Sequence, residues 1–126
     1  MKRKTKNSTT KKRVNSRSVG NQYERDLVSR YRELTGDPEI HTSRLMSKAL
    51  DDAGVDIWGT DKYGLWIQAK RYANTPPKLH DVLDKMPDDD CINVVYWKKP
   101  HHGEVVIMKA EDFESMFVAL NNLKGE

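Results

Sequence analysis

The chain of 126 residues has one cysteine, two phenylalanines and no long apolar run. A single cysteine excludes an internal disulfide and a zinc site built from cysteines, and Cys91 beside Ile92 is expected to be a small core residue. No stretch of about 18 apolar residues occurs, and the N-terminus lacks the apolar segment of a secretory signal. We therefore expect neither a membrane span nor export, and we expect the protein to act in the cytoplasm.

Charge is distributed unevenly along the chain, although the net charge is only +3. Of the 22 basic residues, eight precede the first acidic residue, Glu24, and the other 14 share the rest of the chain with all 19 acidic residues. We therefore predict a disordered basic arm at residues 1–17 and one folded domain at residues 18–126. Such an arm is expected to bind DNA by counterion release, although a solubilising tail or a localisation signal has the same composition. The residues of this arm predicted to contact DNA are Lys11, Lys12, Arg13 and Arg17.

Hydrophobic periodicity predicts an α/β domain, a mixed five-stranded sheet flanked by helices in the order αβββαββα. The first helix is expected to start at Ser18 or Asn21 and to end near Gly36. The strands are predicted at residues 39–45, 54–59, 65–70, 92–97 and 104–108. The later helices are predicted from Pro77 to the Asp88–Asp90 run, and from Ala110 or Glu111 to near Gly125.

Two of the predicted strands form a hairpin that gathers polar groups. Asp56 is the charged residue of the first strand, and Gln68 and Lys70, two residues apart, share one face of the second. The connection from Thr60 to Gly64 contains Asp, Lys and Gly, which are typical of a short hairpin loop. The strands should therefore pair antiparallel and bring Asp56 close to Gln68 and Lys70.

An acid, an amide oxygen and an ammonium in one place suit metal-dependent hydrolysis of a phosphodiester. Mg²⁺, with Mn²⁺ as a substitute, prefers oxygen ligands and neutralises charge at the phosphorus. We expect Asp56 to be the bridging ligand, with the side-chain oxygen of Gln68 and the backbone carbonyl of Ala69. Lys70 would orient or deprotonate the attacking water. Glu24, at the flank of the first helix, either joins this group or is a solvated acid in the first turn.

These residues carry a resemblance to a known family. Asp56, a gap of eleven residues and Gln68-Ala69-Lys70 resemble the PD-(D/E)xK nuclease superfamily, and the continuation Gln-Ala-Lys-Arg-Tyr is similar to its Mrr-type branch. The segment from Gly20 to Leu27 reads Gly-x-x-x-Glu-Arg-x-Leu, which is similar to a helix of archaeal-type and phage Holliday junction resolvases. The resemblance spans roughly Gly20 to Tyr72.

The resemblance implies a restriction-endonuclease-like core that cuts four-way junctions or other branched DNA as a homodimer. It also implies a phage or another mobile element as the source, and it makes Glu24 a metal ligand beside Asp56. The catalytic residues that it implies are Glu24, Asp56, Gln68 and Lys70. The DNA-contacting residues predicted outside the arm are Ser43, Arg44 and Arg71.

Gln68 departs from the resolvase pattern, which has glutamate at this position. The amide removes one negative charge and should weaken binding of a divalent cation. Two alternatives therefore stay open: an Mrr-like restriction-type endonuclease acting on duplex DNA, and a catalytically inactive DNA-binding module of the nuclease fold.

Overall fold

The computed structural model describes residues 16–71 and 78–125. Within these ranges the chain is α/β, with a mixed five-stranded sheet flanked by helices, which confirms the predicted fold class. The strands are β1 (His41–Thr42), β2 (Ile57–Trp58), β3 (Leu65–Arg71), β4 (Ile92–Lys99) and β5 (Gly103–Ile107). The helices are α1 (Ser16–Thr35), α2 (Ser43–Met46), α3 (Lys48–Asp52), α4 (Leu79–Lys85) and α5 (Ala110–Lys124). None of the described helices has both the length and the apolar character needed to cross a membrane.

The described strands lie in sequence order, β1-β2-β3-β4-β5. Neighbours pair antiparallel except β3 and β4, which run parallel with Gln68 opposite Val95. β3 and β4 can run parallel because the long connection between them includes α4. Short loops join β2 to β3 and β4 to β5, whereas α2 and α3 lie between β1 and β2. The predicted β2–β3 hairpin is present, with Ile57 opposite Ile67 and a 3-10 turn, Asp61–Tyr63, in its loop.

Within the described residues, buried side chains form one cluster on each side of the sheet. On one side α1 contributes Tyr23 and Leu27, four residues apart, which pack with Ile67 of β3. On the other side Leu83 of α4 packs with Trp66. Because successive residues of a strand point to opposite faces, Gln68 continues the Trp66 face of β3.

Helix α1 begins earlier than its sequence pattern predicted. Arg17, which was assigned to the basic arm, lies in the first turn of α1 and not before it. The hydroxyl of Tyr23 donates a hydrogen bond of 2.7 Å to Glu104 on β5. This bond joins α1 to β5, which is an edge strand of the sheet, so the helix crosses one face of the sheet.

The first strand is much shorter than predicted. Residues 39–45 were expected to be extended, but the strand covers only His41–Thr42 and the chain then turns into α2. The Ser47 hydroxyl accepts a hydrogen bond of 3.2 Å from the Leu50 amide and caps α3. Within the described residues, no side-chain cap accompanies the start of α2 at Thr42. Ser43 and Arg44 therefore lie on a helical turn, and the prediction of a strand there is wrong.

The segment after α4 also differs from its prediction. The helix ends at Lys85 rather than at the run of three aspartates. Asp89 instead accepts hydrogen bonds from the Trp66 indole at 2.9 Å and 3.1 Å and from the Cys91 amide at 2.9 Å. Cys91 is half-buried at the margin of the second cluster, in keeping with its predicted packing role. The predicted start of this helix, near Pro77, lies outside the described residues.

Gly59, which follows β2, should be required for stability. Its φ is +98°, and a Cβ at this position would lie 3.0 Å from the carbonyl oxygen of Glu39. We expect Gly59→Ala to lower the free energy of unfolding by about 2–3 kcal/mol, from left-handed strain and a backbone clash together. Gly64→Ala is the matched control, because Gly64 has a φ of +87° but a Cβ at that position would have no neighbour within 4 Å. That control should lose only about 1 kcal/mol in urea denaturation, and equal losses would contradict the proposed clash.

Candidate active site

The carboxylate of Asp56 is held against β3 by the hairpin. Its backbone amide donates to the Ile67 carbonyl at 2.8 Å, and its Oδ2 accepts from the Ala69 amide at 2.8 Å. The Ala69 amide lies between Gln68 and Lys70, so the carboxylate sits at the end of β3 that carries both side chains. The predicted approach of Asp56 to this segment is therefore confirmed.

Gln68 presents a buried polar atom that the described residues leave unsatisfied. Its Oε1 is buried and has no hydrogen-bond partner among the residues that the structure describes. Gly54, at a φ of +83°, leaves room for this side chain, since a Cβ there would lie 3.5 Å from the Gln68 Nε2. A buried acceptor without a donor costs about 1–3 kcal/mol, and amide oxygens are ligands that Mg²⁺ accepts. The orphaned oxygen therefore fits a metal ligand.

Glu24 reaches the site from α1 and is paired with Arg44. The Arg44 Nε donates to the Glu24 Oε1 at 3.0 Å, and the Glu24 side chain is only 13% exposed. Burial raises the pKa of Glu24, while the Arg44 guanidinium opposes that rise. Arg44 therefore neutralises an acid of the site, a contact that the sequence did not predict.

Several charges act on Asp56 at once. The pKa of Asp56 is raised to about 7, chiefly by burial and also by the charges of Glu24 and Asp51. The Ala69 amide and the Lys70 ammonium oppose this rise. A divalent cation beside Asp56 would favour its ionised form, so binding of the ion would release a proton from this carboxyl near neutral pH.

The DNA contacts predicted from the sequence have different outcomes. Ser43 is fully buried, and its amide donates to the Asp56 carbonyl at 2.8 Å. A side chain with no exposed surface cannot contact a DNA backbone, so the prediction that Ser43 contacts DNA is wrong. Ser43 instead holds the backbone at Asp56 through this hydrogen bond. Arg71 is exposed at the end of β3 and lines a cavity with Lys98, and Arg17 is exposed on α1. Lys11, Lys12 and Arg13 lie outside the described residues.

Asp51 on α3 is a further acid of this region that sequence reasoning missed. Its charge raises the pKa values of both Asp56 and Glu24. The available signal was Ser47, a good helix N-cap, which predicts a short helix just before Gly54. That helix places Asp51 near Asp56 and Glu24, whereas the sequence pattern of residues 46–52 is compatible with either a turn of helix or an irregular loop.

A basic cavity beside α1 was also missed. Arg25, Arg32 and His41 line it together with Thr42. The Arg32 Nε donates to the Ile40 carbonyl at 2.8 Å, and its Nη2 lies 2.9 Å from the His41 Nδ1. Arg25 and Arg32 lie on α1 two turns apart, and the packing of α1 on β1 adds His41 and Thr42 to the same cavity.

The described residues offer oxygen ligands of the kind that a magnesium ion takes. Within residues 16–71 and 78–125 no three histidine, cysteine, aspartate or glutamate side chains are placed to hold a metal ion together. Mg²⁺ does not require three such groups, because it commonly binds through one or two carboxylates, waters and substrate phosphates. Asp56 and the orphaned Gln68 oxygen meet that smaller requirement.

The sequence matches no protein-family model and no curated protein, and the structure matches no solved structure.

Proposed function

We propose that this protein is a Mg²⁺-dependent endonuclease that hydrolyses phosphodiester bonds in DNA. Two observations carry the proposal: the half-buried carboxylate of Asp56 accepts a hydrogen bond from the Ala69 amide, next to Gln68 in the chain, and the side-chain oxygen of Gln68 has no partner among the described residues. The Ala69 amide that binds the carboxylate lies between Gln68 and Lys70 on β3. A carboxylate that burial destabilises and an unsatisfied acceptor weaken the folded state, and they are explained if a cation completes them.

The residues of the chain would have separate roles. Asp56 and Gln68 would hold the ion, with Glu24 and the Ala69 carbonyl as further oxygen ligands. When bound, Mg²⁺ or Mn²⁺ supplies charge neutralisation at the phosphorus and a water of lowered pKa. Lys70 would orient the attacking water, and in its neutral amine form it would accept the proton that the water loses, while the Ala69 amide fixes the orientation of the Asp56 carboxylate.

A branched DNA is the substrate class that we favour. The PD-(D/E)xK-like spacing from Asp56 to Lys70 and the resolvase-like pattern around Glu24 support it, as does one small domain suited to reading DNA shape and backbone. Symmetric cutting of a four-way junction needs two active sites and therefore a homodimer. Such an enzyme would act in recombination in the cytoplasm, with a phage or another mobile element as its source.

Cleavage assays test this proposal. The full chain is incubated with a four-way junction, a linear duplex and a single strand, each with Mg²⁺, with Mn²⁺ or with EDTA. Symmetric nicks in the junction that EDTA prevents would support a resolvase. Site-dependent cuts in the duplex would instead support the Mrr-like alternative, and absence of cutting with either metal would refute a nuclease.

An inactive DNA-binding module is the second candidate, and two observations favour it. Gln68 is uncharged where the resolvase pattern has an acid, and Glu24 is already neutralised by Arg44. Both features reduce the negative charge available to a cation. This candidate predicts that the junction is bound with the same affinity in EDTA and in Mg²⁺, without nicks.

The variant Gln68→Glu distinguishes a metal site of low affinity from the absence of a metal site. The added carboxylate should lower the Mg²⁺ concentration needed for half-maximal cleavage by roughly tenfold, because cation affinity grows with ligand charge. Gln68→Ala is the control and should raise that concentration by a similar factor. Metal titrations of the initial cleavage rate measure both effects, and an unchanged metal requirement in both variants would remove Gln68 from the site.

A further inference from the structure

Helix α5 is the least covered element of the fold. Its 15 residues are all described, and none of them is buried. Its large apolar side chains are exposed to water: Phe113 58%, Met116 45%, Phe117 62%, Leu120 58% and Leu123 67%. A helix of this length without packing is only marginally stable in water, so the observed helix needs a covering surface.

The exposed side chains form a single stripe. Phe113, Phe117 and Leu120 recur at spacings of four and three, which places them on one face of the helix. The groove between this face and β5 is also apolar, because Val106 and Met108 line it beside Phe113. The stripe and the groove are therefore one continuous surface, and we call these residues the α5 surface.

The size of the α5 surface is that of a dimer interface. Its exposed phenylalanine, methionine, leucine and valine side chains amount to roughly 600–700 Å² of apolar area, above the ~300–600 Å² that a typical monomer leaves in its largest patch. A standard interface buries roughly 800 Å² on each partner. Pairing of the α5 surface with an equal surface would bury at most roughly 1,200–1,400 Å² in total, which lies at the lower end of the ~1,200–2,000 Å² range of specific interfaces.

We propose that the α5 surface binds the α5 surface of a second copy of this chain, with the two helices antiparallel about a two-fold axis near Val118. The apolar stripe from Phe113 to Leu123 is centred on residue 118, so an antiparallel pair aligns the two stripes end to end. In that register Asp112 of one copy lies at the same level along the helix axes as Lys124 of the other, twice per dimer. Antiparallel helix dipoles also attract, whereas a parallel pair would align like charges at each end.

Other occupants fit the surface less well. Residues 1–15 contain Met1 and Val14 but otherwise lack large apolar side chains, so they offer little to cover an apolar stripe. The helix begins with Glu111, Asp112 and Glu114, and these acids would repel DNA or an anionic lipid surface. A second copy presents both the apolar area and the complementary charge.

Sedimentation velocity of the purified full chain tests the proposal without DNA, so its result is independent of nuclease activity. We expect a concentration-dependent dimer, and we expect Phe117→Glu and Leu120→Glu each to weaken dimerisation by roughly a hundredfold, as loss of a central apolar contact does. Leu34→Glu is the matched control, because Leu34 is 68% exposed but lies at the end of α1. It should leave the dimer unchanged.

Charge reversal tests the orientation of the two helices. Asp112→Lys and Lys124→Glu should each weaken the dimer by roughly fivefold, and the double variant should restore it, because only the antiparallel register pairs these residues. Circular dichroism verifies that each variant is folded, and the two apolar variants provide independent tests should one of them fail to fold. A wild-type chain that stays monomeric at every concentration would overturn the proposal, and so would a dimer that neither Phe117→Glu nor Leu120→Glu weakens.

Discussion

Asp56→Asn should abolish DNA cleavage while making the metal-free protein more stable at neutral pH. Cleavage should fall by roughly a thousandfold or more, because the amide offers no charge to a cation. The asparagine oxygen can still accept the hydrogen bond from the Ala69 amide, which Asp56 accepts at 2.8 Å. The substitution therefore removes the charge and keeps the local geometry.

The stability gain follows from the pKa of Asp56, which rises from 3.8 to about 7 on folding, first because of burial. Below its unfolded pKa, such a carboxyl is protonated in both states and the folded protein has its full stability. As the pH rises from the unfolded pKa through the folded pKa, the free energy of unfolding falls. The free energy of unfolding of the wild type should therefore fall by about 1.4 kcal/mol per pH unit between about pH 4 and pH 7, relative to that of the variant. At pH 8 we expect Asp56→Asn to be more stable by about 2–4 kcal/mol, and near pH 4 the two should be nearly equal.

Urea denaturation in EDTA from pH 4 to pH 8, together with junction cleavage in Mg²⁺, measures both effects. Adding Mg²⁺ at pH 8 should stabilise wild type and leave the variant unchanged, because a ligand that binds the folded state stabilises it. Asp52→Asn is the control, since Asp52 is 63% exposed and pairs with Lys48 at the surface. If Asp56→Asn destabilises the protein at every pH, Asp56 has a structural role and the proposed site is refuted.

Lys70→Ala should abolish cleavage and leave binding of the same DNA almost intact. Removal of a proton-transfer group costs roughly a hundredfold to ten-thousandfold in rate. Loss of one positive charge should change the affinity for DNA by only a few fold at moderate salt. The Lys70 ammonium acts on Asp56, so its removal also takes away a charge that favours the ionised carboxylate.

Single-turnover cleavage and a gel-shift assay on one junction substrate separate the two effects of this substitution. Lys48→Ala, at a lysine that is 86% exposed, should alter neither cleavage nor binding. Persistence of full activity in Lys70→Ala would remove the proposed mechanism. A parallel loss of binding and cleavage would show that Lys70 only contacts the DNA backbone.

Local chemistry explains which parts of the fold the sequence could predict. The alternation of apolar residues in β3, with glycine and aspartate in the loop before it, predicts an antiparallel hairpin. That pairing brings Asp56 to the Ala69 amide. This part of the site is formed by residues that are close in the sequence, so hydrophobic periodicity and turn residues are enough to predict it.

Contacts between segments that are far apart in the sequence could not be predicted from the sequence pattern. Arg44 pairs with Glu24 because α2 follows β1, where a longer strand was predicted. The orphaned oxygen of Gln68 depends on how β3 packs beside Gly54. Neither residue's surroundings could be read from its neighbours in the chain.

The sequence by itself determined the order of the five strands and of α1, α4 and α5, the antiparallel hairpin and the apolar stripe of α5, because each depends on residues only a few positions apart. Only the tertiary structure decided which charges surround Asp56, why Ser43 is buried and that the α5 stripe is uncovered within the described part of the chain. The physical reason is that burial and electrostatic coupling depend on distances through space, and periodicity predicts an apolar face without identifying what packs on it.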